Sequence, residues 1–366
     1  MLEIKATETH QEGSIFGQIT TMDHEQLVVC HDQATGLKAL IGIHNTALGP
    51  ALGGTRLWSY KSESEAITDV LRLSRGMSFK NSLAGLNLGG GKAVILGNPS
   101  LKNEAFLRRF GRFIESLGGR YVTAEDVNMN TSDMEYIRME TRHVAGLPQI
   151  KGGSGDPSPV TAFGAYMGMK AAAKKAYGSD SLQGKKIAVQ GAGQVGKYLI
   201  EYLIKEGAEV MVTDIFEDKL NQLAKATGAT PVDPALIYDI EMDIYAPCAL
   251  GATINDETID RLKCQVIAGA ANNQLKDEAK HGQMLIDKGI IYAPDFLINA
   301  GGVINVGAEY LGGYHKEIVY KQTEKIYDTC IDILNKAEKE NIPAQQAAIE
   351  TAKARIEAMG KVKISF

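Results

Sequence analysis

A chain of 366 residues, 44% hydrophobic and 23% charged, has the composition of a soluble globular protein and the length of two domains. Its net charge of −5 gives no electrostatic ground for binding nucleic acid or an anionic membrane. No apolar run approaches the ~20 residues that span a bilayer. The opening residues, MLEIKATETH, have neither a basic segment nor an apolar core, so no secretory signal is expected and a cytoplasmic location is the default. Cys30, Cys248, Cys264 and Cys330 form no Cys-x-x-Cys pair and no metal-ligand spacing with the histidines, so reduced, structural cysteines and no metal are expected.

In chain order, strands are expected at 27–30 and 37–43, with Thr35 and Gly36 in the turn. Ser62 and Glu65 fit a capping box opening a helix that carries Ala66, Ile67, Val70, Leu71 and Leu73 toward a core. Residues 76–97, GMSFKNSLAGLNLGGGKAVILG, place Lys80 and Lys92 in a glycine-rich run. The glycines are read as allowing sharp bends and close approach to a ligand. Residues 93–96 then form a short buried strand, with Lys92 at its mouth. Partial burial disfavours a lysine's charge and brings its pKa from about 10.4 toward neutrality, which suits proton transfer. Taken singly, either lysine reads more simply as a surface side chain beside a turn.

A helix at 102–117 is expected to stop at Gly118 and Gly119. A strand at 121–123 delivers Ala124, Glu125 and Asp126 to its end, and Ser132 with Glu135 caps the next helix. Neighbouring acids on extended chain point apart, so one of the two, Asp126, is taken to face the lysines. One cationic lysine can hold a substrate carboxylate. A second can act as base and acid, and a nearby carboxylate can relay a proton to or from an amine.

Breakers crowd 146–159 and mark a domain boundary. An alanine-rich helix at 160–177 follows. Next come a strand at 186–190, the turn Gly191-Ala192-Gly193-Gln194-Val195-Gly196, a helix to about 206, and a strand at 209–213 with Asp214 at its tip. Alone, G-x-G-x-x-G is weak. Between a strand and a helix, with an acid following the second strand, it is a dinucleotide fingerprint. Gly191 makes the turn, Gly193 admits a pyrophosphate, Gly196 lets helix and sheet pack, and the helix start at Gln194 and Val195 offers unpaired N–H groups. Asp214 can accept ribose hydroxyls and would repel a 2′-phosphate, which favours NAD over NADP. Three further strand-end loops carry Cys248 and Ala249, then Asn272 and Asn273, then Asn299; ligands of doubly wound sheets bind at such ends. Strands at 243–246, 265–268 and 290–292 alternate with helices, as in a parallel sheet. Beyond 316 the chain is helical, and its tail is expected to pack back on the first domain.

The ordered segments GPALGGTR, GMSFKN, GGGKAVILG, TAEDV, DPSPVTA, DIYAPCALGATIN, VIAGAANNQL, IIYAPDF and INAGGVINV cover nearly the whole chain. They resemble the glutamate/leucine/phenylalanine/valine dehydrogenase family, and most of all its leucine-oxidising members. The resemblance implies reversible NAD-dependent oxidative deamination of a branched-chain L-amino acid to the 2-oxo acid and ammonia. It matches Lys80 to the lysine on the substrate carboxylate, Lys92 to the lysine that activates water, and Asp126 to the carboxylate that shuttles the amine proton. Thr161 matches a contact to the nicotinamide carboxamide, and Asn272 and Asn273 lie where the family meets cofactor and substrate. The side-chain pocket maps to Leu52, Ala124, Val303 and Val306, with Gly53 and Gly54 beside Leu52. All four pocket residues lack charge, which argues against glutamate.

The implied fold is α/β in two domains. A substrate and oligomerisation domain with a mixed sheet takes 1–148, joined by C-terminal helices at about 338–366. A doubly wound Rossmann-type NAD-binding domain takes 149–337. A homo-oligomer is implied. The chain departs from the family pattern at Asn128-Met129, where a glycine usually follows TAEDV, and at 307–313. The alternatives are valine or phenylalanine dehydrogenase by the same mechanism, or a non-catalytic NAD-binding regulator.

Overall fold

The structure, a computed structural model, describes residues 14–362, so the opening residues scanned for a signal lie outside it. By contact the described residues form two compact units, one of 14–78 and 87–147, the other of 79–86 and 148–362.

The first unit runs α1 (Ile15–Met22), β1 (Gln26–Asp32), β2 (Leu37–Asn45), β3 (Ala51–Leu52), β4 (Thr55–Trp58), α2 (Glu63–Leu83), β5 (Gly89–Leu96), α3 (Glu104–Glu115), β6 (Tyr121–Val122) and α4 (Thr131–Arg138); the last turn of α2 counts with the second unit. The sheet is mixed, in the order β1-β2-β5-β3-β6, and β4 follows β3 along the same edge of β5. β1, β2 and β5 are antiparallel neighbours, whereas β3 and β4 lie parallel to β5. Helices cover both faces, which explains why β2 and β5 read as near-continuous apolar runs. On one face Phe106, Leu107, Phe110 and Ile114 of α3 and Met134 and Ile137 of α4 bury Ile41, Ile43, Ala93 and Ile95. On the other, Ala66, Val70 and Leu71 of α2 bury Leu40 and Val94.

The second unit runs α5 (Ser158–Tyr177), β7 (Lys186–Gln190), α6 (Gln194–Glu206), β8 (Glu209–Thr213), α7 (Glu217–Thr227), β9 (Thr230–Pro231), β10 (Ile244–Pro247), β11 (Val266–Ile267), α8 (Glu278–Asp287), β12 (Ile291–Tyr292), α9 (Asp295–Ile298), α10 (Gly301–Leu311), α11 (Lys316–Glu324), α12 (Ile326–Glu340) and α13 (Ala344–Gly360). Its sheet is parallel throughout, in the order β12-β11-β10-β7-β8-β9. The order reverses between β7 and β10, so the loops after these strands flank the crevice of a doubly wound sheet.

Several local expectations give way. The segment GMSFKN is helical: Lys80 sits in the last turn of α2, and Gly76 is accommodated there with open space around it. β5 begins at Gly89, so Lys92 lies in mid-strand rather than at a strand mouth. The glycines before it serve close packing instead of a loop. A Cβ on Gly90 would fall 2.1 Å from the Ser78 backbone nitrogen, and one on Gly91 would fall 2.8 Å from the Tyr121 ring. At α2 the Glu65 N–H donates to Ser62 Oγ, but the Glu65 carboxylate accepts from Lys61 N, so the box is half formed. α4 is capped by Asn130 with Asp133, two residues ahead of the Ser132 reading. The C-terminal helices do not join the first unit. α13 packs on α12 and α8, and Arg355 donates to the carbonyls of Ser82 and Leu86 at 2.9 Å, a segment that itself belongs to the second unit.

All four cysteines are free, and burial pushes their thiols up to about 11 (Cys30, Cys248) and about 12 (Cys264, Cys330), which keeps them protonated. Among the described residues no helix is long and apolar enough to cross a membrane, and no cluster of three His, Cys, Asp or Glu could hold a metal.

Candidate active site

In the first unit the site grows from β5. Lys92 pairs across the sheet with Gly42 and shares the α2-facing side with Val94, two residues on. The side chain is buried and its Nζ forms an ion pair with Asp126 Oδ2. Asp126 reaches that point because the segment after β6 runs along β3 and β4. Gly53 N donates to Val122 O at 3.1 Å, Thr55 N to Ala124 O at 2.9 Å, and Leu57 N to Val127 O at 3.0 Å. Thr55 and Thr123 share a buried hydroxyl contact of 2.6 Å, and the Tyr121 hydroxyl donates to Gly53 O at 2.7 Å. Gly54 is pressed against this segment, its Cβ direction ending 2.3 Å from Glu125 O. Burial alone would raise the Asp126 pKa; the charges of Lys92 and then Arg56 outweigh it and hold the carboxyl below the ordinary range. Leu52 and Ala124 are buried, Leu52 directly beside Val122 in the sheet.

Asn128, at the departure from the family pattern, has φ +61°. A glycine adopts that left-handed conformation freely and asparagine tolerates it better than most residues. Its side chain donates to Leu57 O at 3.0 Å, and its carbonyl accepts from Lys102 Nζ at 3.0 Å. The backbone beside Asp126 thus takes a left-handed turn at an asparagine.

In the second unit the turn after β7 has the geometry a dinucleotide requires. A Cβ on Gly191, at φ +123°, would fall 2.9 Å from the Cys248 carbonyl, and one on Gly196 would fall 2.1 Å from Gly191 O. Gly193 is different: nothing lies within 4 Å of its Cβ direction, and it caps α6 without a side-chain hydrogen bond. The first-turn N–H groups at Gln194 and Val195 therefore face a space that a diphosphate can enter. Asp214 accepts from Ala192 N at 2.7 Å and from Phe216 N at 2.9 Å, so it also braces this turn. Cys248 N donates to Gln190 O, bringing Cys248 and Ala249 beside Gly191 at the reversal of strand order.

Lys80 meets the loop after β11. Its Nζ donates to Asn272 Oδ1 at 3.1 Å, and that oxygen also accepts from Asn299 Nδ2 at 2.8 Å. Asn273 is left-handed at φ +51°, and its carbonyl accepts from Ala252 N at 2.7 Å. Thr161 lies in the first turn of α5, and a Cβ on Gly302 would fall 2.7 Å from its hydroxyl. Val303 and Val306 are buried one turn apart on α10. The structure thus brings together Lys92 with Asp126, Lys80 with Asn272, and the glycine turn with Asp214, Cys248 and Ala249.

Sequence reasoning passed over three supports. Gln274 donates to Gly269 O at 2.6 Å and Ala271 O at 3.0 Å, holding the asparagine loop in shape. The buried Asp295 accepts from Gln274 N at 2.9 Å; burial raises its pKa more than Lys80 and the backbone donors lower it. Arg56 lies near Asp126. Asp295 and Arg56 stand inside the quoted segments APDF and GGTR, so the signal was present as charge within apolar sequence.

The sequence profile described as Glu/Leu/Phe/Val dehydrogenase, dimerisation domain, matches residues 24–143. The one described as Glutamate/Leucine/Phenylalanine/Valine dehydrogenase matches 152–216 and 212–363. The chain belongs to the glutamate/leucine/phenylalanine/valine dehydrogenase family. It is 56% identical over 353 residues to a leucine dehydrogenase of Thermoactinomyces intermedius, covering 96% of both chains. It is 54% identical over 353 residues to that of Geobacillus stearothermophilus, again covering 96% of each. The crystal structure of L-tryptophan dehydrogenase from Nostoc punctiforme superposes with a TM-score of 0.84 at 43% identity, covering 96% of this chain and 100% of that one. As a member of this dehydrogenase family the chain is an oxidoreductase of the amino-acid dehydrogenase type, dependent on a nicotinamide dinucleotide. The open cradle at Gly193 and the uncapped start of α6 fit that cofactor.

Proposed function

We propose that this family member oxidises branched-chain L-amino acids, leucine foremost, with NAD as acceptor. The observation that carries the reading is the Lys92–Asp126 ion pair, with the apolar Leu52 on the neighbouring β3 and Ala124 just after β6. The absence of charge at Leu52, Ala124, Val303 and Val306 supports an aliphatic side chain over that of glutamate. Asp214 at the tip of β8 supports NAD over NADP, since a carboxylate there repels a 2′-phosphate.

The balance is amino acid, NAD⁺ and water to 2-oxo acid, NADH, ammonium and one proton. Lys80 holds the substrate α-carboxylate as a charge-assisted pair, and Asn272 orients the Lys80 ammonium. Asp126 takes a proton from the α-ammonium. The bound nicotinamide supplies the acceptor for the hydride that leaves Cα. Lys92 takes a proton from the water whose oxygen adds to the resulting imine carbon. Asp126 returns its proton to the nitrogen, Lys92 passes its first proton to solvent and then takes the hydroxyl proton, and the C–N bond breaks to release ammonia.

The test is NADH formation with leucine, isoleucine, valine, phenylalanine, tryptophan and glutamate at mildly alkaline pH. The reading expects leucine to give the highest kcat/KM with isoleucine and valine near it, because one methylene discriminates by only about 1–3 kcal/mol. An aromatic winner would place the chain with the tryptophan-oxidising relative and overturn the pocket assignment. Lys92→Ala should lose turnover while still binding NAD. Assembly as a homo-oligomer, supported by the match to a dimerisation domain, is tested by light scattering on the eluting protein.

A further inference from the structure

Asp126 faces two cations, and the proton relay uses one of them. Arg56, from β4, places Nε 3.6 Å from Asp126 Oδ2, the oxygen that also meets Lys92. That separation is too long for a hydrogen bond and short enough for strong electrostatic contact. The other end of the guanidinium is fixed: NH1 lies 3.2 Å from Asp69 Oδ2 on α2, and the Tyr60 hydroxyl donates to that same oxygen at 2.6 Å. Arg56 and Asp69 are each 26% exposed and Asp126 is 21% exposed, so solvent and salt screen them weakly. Burial first, then the hydrogen bond to Asp69 and its charge, keeps the Tyr60 phenol protonated well above its usual range. Tyr121, also near Asp126, is likewise held neutral by burial. The charges around the carboxylate are therefore Lys92 from β5 and Arg56 from β4, with Asp69 behind Arg56 and two neutral phenols at the margins.

A guanidinium does not lose its proton in a protein, so Arg56 is a fixed positive charge rather than a relay member. We propose that Arg56 is a positioning residue: clamped by Asp69 and Tyr60, it holds the Asp126 carboxylate against Lys92 and sets the pH at which that carboxylate takes up a proton. This rests on the reading of Lys92 and Asp126 as the acid–base unit. Removing a fixed cation raises the proton affinity of the carboxylate, which sets the sign of the effect.

The experiment is the pH profile of kcat/KM for leucine oxidation in wild type, Arg56→Gln, Arg56→Lys, Asp69→Asn and Lys92→Ala. Arg56→Gln should move the acid limb up by about half to one pH unit with the KM for NAD unchanged. Arg56→Lys should restore most of the shift, and Asp69→Asn should move the limb down. An Arg56→Gln limb that stays in place, or a loss of rate equal at every pH, overturns the proposal. If Arg56→Gln does not fold, Asp69→Asn decides, and an upward or absent shift is the overturning result. Wild-type turnover in Lys92→Ala would instead sink the acid–base reading itself; an inactive Lys92→Ala beside an unmoved Arg56→Gln limb would sink the Arg56 role alone.

Discussion

A Cβ on Gly53 would fall 1.7 Å from the Gly91 carbonyl oxygen. The chain between β3 and β4 therefore lies directly against the backbone of the strand that carries Lys92, and no side chain fits between them. Gly53→Ala should cost stability at or above the upper end of the roughly 1–3 kcal/mol typical of overpacking, read as a lowered denaturation midpoint. Gly36→Ala is the control. Gly36 is left-handed at φ +73° with open space around it, so the cost there is about 1–2 kcal/mol of backbone strain.

Asp126 makes stability depend on pH in a defined direction. Its folded pKa is lowered, so its contribution is present above the unfolded carboxylate value of about 3.9 and is lost as the pH falls through the lower folded value. The stability gap between wild type and Asp126→Asn should be full at pH 7 and should narrow below about pH 4. Urea titrations at several pH values check it; a gap that widens on acidification would contradict the ion pair with Lys92.

Asp214 braces the glycine turn, and substitution should separate that from the cofactor preference proposed for it. Asp214→Ser should raise the NADP to NAD ratio of kcat/KM by about tenfold or more, an effect of about 1.4 kcal/mol. It should also cost about 1–2 kcal/mol in stability, because the Ala192 and Phe216 N–H groups lose a charged acceptor. Steady-state kinetics with both cofactors, beside thermal melts, read the two effects.

Asn128→Gly should be close to neutral in stability, and Asn128→Val should cost about 1–2 kcal/mol for a left-handed branched residue, plus the lost hydrogen bond to Leu57 O. Since Asp126 lies two residues away, the valine variant should also lose activity. Equal melting temperatures for the two variants would contradict the backbone assignment.

The parallel sheet was legible because its signals are local: short apolar runs, a glycine turn directly after β7, and an acid at the end of β8. The course of 76–92 was not. Gly76, Ser78 and Asn81 are weak helix formers, and three successive glycines resemble a loop; tertiary packing overrides both. Ser78 sits where Gly90 leaves room for α2, a pairing that sequence spacing cannot reveal. The docking of α13 was likewise invisible, because a buried face of Ala347, Ala348 and Ala352 names no partner. Lys92 and Asp126 could be named from the resemblance, but their contact depends on the Gly53 and Gly54 crossing.

A lysine in mid-strand has consequences for how it can be moved. The Lys92 main chain is tied on both sides, to Gly42 of β2 and to the start of β4 beside Ala93. Its Cα thus has little freedom, and what mobility the amine keeps belongs to its own four methylenes. Transplanting this ion pair into another protein would therefore demand the entire three-strand weave, since a loop bearing the same two side chains would let their separation wander.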